Sequence, residues 1–307
     1  MKVAITGANG FAGQNLTQYL QPYDSIKLIK VMRTIDPQQG NQVTLSSFIN
    51  EAPLYDAIVH LAGKAHDLKN TAEEEAYFEV NYELTRKLFE QFLVSSANIF
   101  IYISSVKAIA DLPSGALTES TSPAPATPYG RSKLKAENYL IDTVLPPGKK
   151  VYVLRPCMIH GPGNKGNLNL LAGIVKKGIP YPLGSFNNKR SFLSIENFCF
   201  TIREILFGNI QPGVYNLSDD EVLSTNELIS LMGEVFAKPG KIWKINTKII
   251  YLLAKLGDLL RLPLNSENLQ KLTTNYMVSN QKIKAALNKP FPLTAREGLI
   301  HTLKSFI

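Results

Sequence analysis

Tyr129 stands four residues before Lys133 in the stretch TPYGRSK, directly behind a Thr-Pro pair. Thr127 suits an N-cap and Pro128 the first helical position, so a helix is predicted to begin here. One helical turn then separates the two side chains and puts them on one face. A tyrosine hydroxyl ordinarily titrates near ~10 and is a poor base at neutral pH. A neighbouring ammonium and the positive end of a helix both favour the phenolate. The pair thus describes either an activated tyrosine or an ordinary helix surface, and the spacing alone does not choose.

A second chemical signal lies at the start of the chain. Gly7, Gly10 and Gly13 follow the apolar run KVAIT and lead into GQNLTQYL, which reads as a helix. Such glycines allow a tight turn, close backbone approach to a pyrophosphate, and packing of the helix on its strand. At the end of the second apolar run, VMRT places Arg33 where an acid would bind the adenosine ribose of NAD. An arginine there can pair with a 2′-phosphate, which favours NADP(H). Asp36, three residues on, is the candidate for the opposite preference, NAD(H).

The elements that must position these residues alternate. SIKLIKVM, AIVHLA (57–62), NIFIYISS and VYVLRP (151–156) read as buried strands, and 72–96 as a long amphipathic helix. Near-continuous apolar strands between helices predict an α/β fold, a doubly wound parallel sheet covered on both faces. After residue 156 the texture changes to loops and helical patterns, with a short strand at GVYNLS. The expected division is 1–156, a dinucleotide-binding Rossmann domain, and 157–307, a smaller, mostly helical substrate lobe, some of whose elements return to the sheet.

Composition narrows the partners. The chain has 307 residues, 45% hydrophobic and 19% charged, which describes an ordinary globular protein. No apolar run approaches the ~18 residues that span a bilayer, so no stable membrane insertion is expected. The formal charge of +8 is scattered, without the aromatic-interleaved basic runs of a nucleic-acid binder, and fits anionic small molecules better. Cys157 and Cys199 form neither a disulfide framework nor a metal-ligand spacing, and a cytoplasmic location is expected.

With Gly7, Gly10 and Gly13, then HLAGKAH, ISSVKA, YGRSK and LRPCMIHGPG in this order, the chain resembles the extended short-chain dehydrogenase/reductases. Among these it resembles the nucleotide-sugar epimerase/dehydratase family, which includes UDP-galactose 4-epimerase. The resemblance implies Ser105, Tyr129 and Lys133 as catalytic residues. Tyr129 would exchange a proton with the sugar oxygen and Ser105 would position that oxygen. Lys133 would hold the nicotinamide ribose and keep the tyrosine acidic. Phe11 and Ala12 match backbone contacts to the pyrophosphate, Leu61, Ala62 and Gly63 the cofactor channel, and Asn81 a tie between helix and strands. Asn167, Leu168 and Arg190 match contacts to the substrate's diphosphate. A homodimer through the Tyr-Lys helix and the helix before it is also implied.

Departures from the pattern bear on the reaction. Val106 and Lys107 follow Ser105 where 4,6-dehydratases carry an Asp-Glu pair, so dehydration lacks its acid and base. Met158 stands in the place of an epimerase asparagine, and a second diphosphate arginine has no match, although Lys271 lies close. The leading expectation is reduction of a UDP- or dTDP-linked 4-keto-6-deoxy sugar, as in surface polysaccharide synthesis. The alternative is an NAD-retaining sugar 4-epimerase, and a third reading is a non-catalytic NADP(H) sensor. The amphipathic stretch 247–265 reads as a packed helix of the lobe, a membrane-surface segment or a cover for the substrate.

Overall fold

In the first strand Val3 and Ile5 enter the core on one side and Ala4 on the other, all fully buried. A strand covered on both faces belongs inside a parallel sheet. The computed structural model describes residues 1–35, 40–50, 54–64, 73–164, 166–260 and 265–307. Asp36 and His66 therefore lie outside the described residues.

The strands are β1 (Lys2–Thr6), β2 (Lys27–Met32), β3 (Gln42–Thr44), β4 (Ala57–His60) and β5 (Ile99–Ile103). They continue with β6 (Lys150–Pro156), β7 (Met158–His160), β8 (Arg190–Ser194), β9 (Gly213–Leu217) and β10 (Val222–Leu223). Seven form one sheet in the order β3-β2-β1-β4-β5-β6-β9, every pairing parallel. The chain winds outward from β1 to β3, then crosses back to β4. That reversal opens a crevice at the carboxyl ends of β1 and β4.

The helices of the first half are α1 (Phe11–Leu20), α2 (Leu45–Asn50), α3 (Glu74–Phe78), α4 (Leu84–Val94) and α5 (Pro128–Asp142). The helix predicted over 72–96 is α3 and α4 joined by one π turn, Glu79–Glu83. In the second half lie α6 (Asn167–Lys176), α7 (Ile195–Phe207), α8 (Thr225–Phe236), α9 (Thr247–Leu260), α10 (Ser266–Thr273), α11 (Gln281–Leu287) and α12 (Ala295–Lys304).

One face of the sheet is covered by α1 and α7, where Val3, Ile5, Leu16, Ile101, Phe198 and Ile202 share a core. The other is covered by α4 and α5, with Ile58, Leu88, Phe89, Phe100 and Leu140. Full burial of each such side chain contributes about 1.5–3 kcal/mol. A third cluster, including Leu168, Leu228, Met232, Leu299 and Leu303, holds the lobe built on the small β10-β8-β7 sheet. Residues beyond 156 also complete the main sheet: β9 pairs with β6 from Tyr152↔Gly213 to Pro156↔Leu217. Bridges from Leu117 to Val278 and from Arg190 to Tyr276 bind a late segment across both parts.

Candidate active site at the carboxyl edge of the sheet

The glycine turn leaves β1 at Gly7, whose φ of 70° is left-handed. A Cβ there would stand 2.7 Å from the Ala62 amide nitrogen at the end of β4. At Gly13 a Cβ would meet the Gly7 carbonyl oxygen at 2.2 Å, so only glycine lets α1 seat this closely on the turn. Gly10 caps α1 without a side chain, which leaves first-turn amides of that helix to an anion. Gly7, Gly10, Arg33, Leu61, Ala62 and Gly63 line one cleft of about 350 Å³. Phe11 and Ala12 form the first turn of α1, and the Phe11 ring would touch a Cβ on Gly161 at 3.4 Å. Arg33 is exposed, and among the described residues no hydrogen bond or ion pair occupies its guanidinium.

Behind the cleft lies a buried polar relay. The Lys64 amide donates to Asn81 Oδ1 at 2.8 Å, and Asn81 Nδ2 donates to Ser132 Oγ at 3.0 Å. Asn81 reaches both from the π turn, a distortion that is frequent at functional sites. Thr85 Oγ1 donates to the Asn81 carbonyl, so it accepts from His60 Nε2, and His60 Nδ1 is left to accept from Thr6 Oγ1. Burial, reinforced by the Lys133 charge, lowers the His60 pKa to about 3. His60 is a neutral strut here, not an acid or base.

Ser105 lies two residues past β5 and caps the short 3₁₀ turn Val106–Ala108. Thr127 caps α5 through the Gly130 amide, with Pro128 first in the helix, as the residue types predict. The Asp111 carboxylate accepts from the Ala126 and Thr127 amides and so fixes the entry of α5. Tyr129 is partly buried, hydrogen-bonded to Ser105, with the Tyr77 ring edge-on at 6.3 Å. Lys133 is buried: its ammonium donates to the Ile103 carbonyl at 2.9 Å and lies 4.8 Å from the centre of the Tyr102 ring. A Cβ on Gly63 would approach Lys133 Nζ to 3.2 Å, so the glycine keeps the ammonium's approach to the cleft open.

Burial sets a further influence against those expected at Tyr129. The helix start and Lys133 were expected to favour a phenolate at Tyr129. In the protein alone burial dominates and raises the Tyr129 pKa, with the Ser105 hydrogen bond opposing it. Burial also depresses Lys133, to about 8, with Glu137 working the other way. Glu137 is itself wholly buried, doubly bonded to Arg155 and accepting from Ser104.

On the lobe side Arg190, at the start of β8, donates to the carbonyls of Lys271 and Thr274. Burial lowers its pKa, as it does for Lys107, where the Asp111 carboxylate works the other way and the charges of Arg190 and Lys271 add smaller depressions. Lys107 lies 4.7 Å from the Tyr276 ring centre, and the Tyr276 hydroxyl donates to the Ala110 carbonyl. Arg190, Lys107 and Lys271 thus lie in one neighbourhood, where Lys107 is paired with Asp111 and Lys271 with Glu267. Asn167 opens α6, whereas the Leu168 side chain is sealed in the lobe core. Sequence reasoning did not assign Asp111, Ser132, Glu137 or Tyr276 to the site. Ser132 lies inside the Tyr-Lys motif and Glu137 one turn after Lys133 on the same helix, whereas Asp111 and Tyr276 are joined to it only by folding.

The glycine turn, the α1 amides and the buried ammonium beside Gly63 fit a dinucleotide. Fold and site together define an extended short-chain dehydrogenase/reductase, an enzyme. Residues 3–218 match the NAD dependent epimerase/dehydratase family, and the chain belongs to that family. It is 30% identical to a UDP-glucose 4-epimerase of Vibrio cholerae over 319 aligned positions, 99% of this chain and 95% of that one. It is 26% identical to a GDP-6-deoxy-D-mannose reductase of Pseudomonas aeruginosa, over 76% of this chain and 80% of that one. Its fold is similar to that of the UDP-N-acetylglucosamine 4-epimerase of Bacillus cereus, with TM-score 0.76, 21% identity and 99% of both chains covered.

Proposed function

We propose that this enzyme uses NADPH to reduce the carbon-4 ketone of a nucleotide-diphospho-sugar. The observation that carries this reading is Arg33, a cation on the cleft wall at the end of β2 that would pair with a 2′-phosphate. Gly7, Gly10 and Gly13 would admit the pyrophosphate, with the first-turn backbone of Phe11 and Ala12. Leu61, Ala62 and Gly63 would line the channel, and Asn81 would hold its wall.

NADPH, when bound, supplies the hydride. The Tyr129 hydroxyl donates its proton to the ketone oxygen, and the ketone becomes an alcohol. Ser105 donates a hydrogen bond to the same oxygen, and the Lys133 ammonium stabilises the phenolate left on Tyr129. Arg190, Lys107 and Lys271 would grip the diphosphate, with Asn167 and the Leu168 backbone on the other side. Lys107 stands where a dehydratase would carry a carboxylate, so the ketone has to be made elsewhere. A UDP- or dTDP-linked 4-keto-6-deoxy sugar meets that requirement.

A second reading, an NAD-retaining 4-epimerase, is favoured by the near full-length likeness to the Vibrio cholerae enzyme. The same three residues serve it, with Tyr129 first taking a proton and then returning it. Titration with NADPH and NADH, together with analysis of nucleotide carried through purification, separates the two. Exchangeable NADPH preferred over NADH, with the preference abolished in Arg33→Ala, is expected. Tightly retained NAD would replace the reductase with the epimerase.

A further inference from the structure

Helix α9 joins the lobe by one narrow stripe. Ile250, Ala254 and Gly257 are its buried residues, spaced i, i+4 and i+7. Ile249, Leu252, Leu253, Leu256, Leu259 and Leu260 are 46–79% exposed. At 3.6 residues per turn these six share an arc of about 120° beside the buried stripe. Lys248 and Lys255 border the far side of that arc. Single exposed apolar residues are ordinary, but a contiguous face of them marks an interaction surface.

Charge identifies the partner. Residues 237–260 carry five lysines, Lys238, Lys241, Lys244, Lys248 and Lys255, against a single acid, Asp258. That acid is engaged by the Ser266 amide and hydroxyl at 2.8 and 2.6 Å. Trp243, 57% exposed, leads into the helix. A second copy seated on this face would bring two lysine-rich surfaces together. An anionic bilayer offers apolar depth to the leucines and negative headgroups to the lysines at once. With 14 residues the helix is about 21 Å long, short of the ~30 Å hydrocarbon core, and no described helix is long and apolar enough to cross it.

We propose that α9 lies in the headgroup region of an anionic lipid bilayer and docks the substrate lobe on the membrane surface. Because α9 packs on α10, which carries Lys271, docking brings the Arg190–Lys271 region close to that surface. The leucines insert, the bordering lysines reach back to the headgroups, and the sheet remains in water.

The full chain is sedimented with vesicles of phosphatidylglycerol and phosphatidylcholine in equal parts, and with phosphatidylcholine alone. Partition into the anionic vesicles is expected, with a blue shift of the sole tryptophan, Trp243. Lys248→Ala and Lys255→Ala should each weaken partition about fivefold. Leu256→Glu with Leu259→Glu should abolish it while the melting temperature and cofactor binding persist. Absence of partition by the natural chain would overturn the proposal, as would partition indifferent to these substitutions. Conversion of a dimer to a monomer by the leucine pair, without vesicle binding, would assign the face to a second copy.

Discussion

Tyr129 and Lys133 have opposite electrostatic problems. Burial moves the tyrosine's pKa up and the lysine's down to about 8. A protonated Tyr129 is the state a reductase needs before hydride transfer. Tyr129→Phe should lower turnover by about 10²–10⁴-fold and leave the cofactor dissociation constant unchanged. Lost turnover with retained binding would reject a purely sensory role; unchanged turnover would remove Tyr129 from the chemistry. Lys133 sets a pH limit, because its folded-state pKa of about 8 lies below the ordinary 10.5. Cofactor affinity should fall as pH rises through about 8 in the natural protein and be flat with pH in Lys133→Met. Between the two values the unfolded chain binds more protons than the folded one, so this group's contribution raises stability as pH increases. Below the window the buried charge costs about 3 kcal/mol. Lys133→Met should therefore unfold at higher urea than the natural chain at pH 7, with the gap closing towards pH 10. A gap that widened would reverse the sign assigned to burial.

At the scale of elements, the site depends on how closely α1 meets the turn after β1 and how the π turn presents Asn81. Gly13→Ala puts a methyl 2.2 Å from the Gly7 carbonyl and 2.6 Å from the Ala8 Cα, both backbone atoms that have little room to retreat. A loss of about 1–3 kcal/mol in the urea midpoint is expected, together with weaker cofactor binding. Retained affinity for the cofactor would show that the turn is more tolerant than its contacts indicate. The glycine spacing, the Thr127–Pro128 helix start and the buried strands were legible because each rests on local backbone chemistry. The π turn was not: 72–96 has an ordinary amphipathic pattern. The inserted residue serves contacts from Asn81 to Lys64 and Ser132, which are distant in the chain.

At the scale of the molecule, the residues after 156 are part of the dinucleotide sheet as well as of the lobe. Ile195, Phe198 and Ile202 of α7 share a core with Val3 and Ile5, and β9 closes the edge beside β6. A chain ended at Pro156 would expose that apolar face and the unpaired side of β6. It should aggregate or lack cooperative thermal unfolding, as measured by circular dichroism and size-exclusion chromatography. A monomeric, cooperatively melting fragment would establish 1–156 as an independent unit.

Local signals in the sequence determined the class of chemistry. A glycine turn behind a strand, a capped helix carrying Tyr129 and Lys133, and Arg33 at a strand end are each set by residues within a few positions of one another. Tertiary structure alone set the direction in which the tyrosine's pKa moves, because desolvation depends on what the whole fold packs around it. It also decided that Lys107, Arg190 and Lys271 share one region, since β8, α10 and the loop after β5 meet only when the late segment around Tyr276 crosses between them. Periodicity shows that α9 has an apolar arc; which part of that arc is buried depends on the neighbours that cover it.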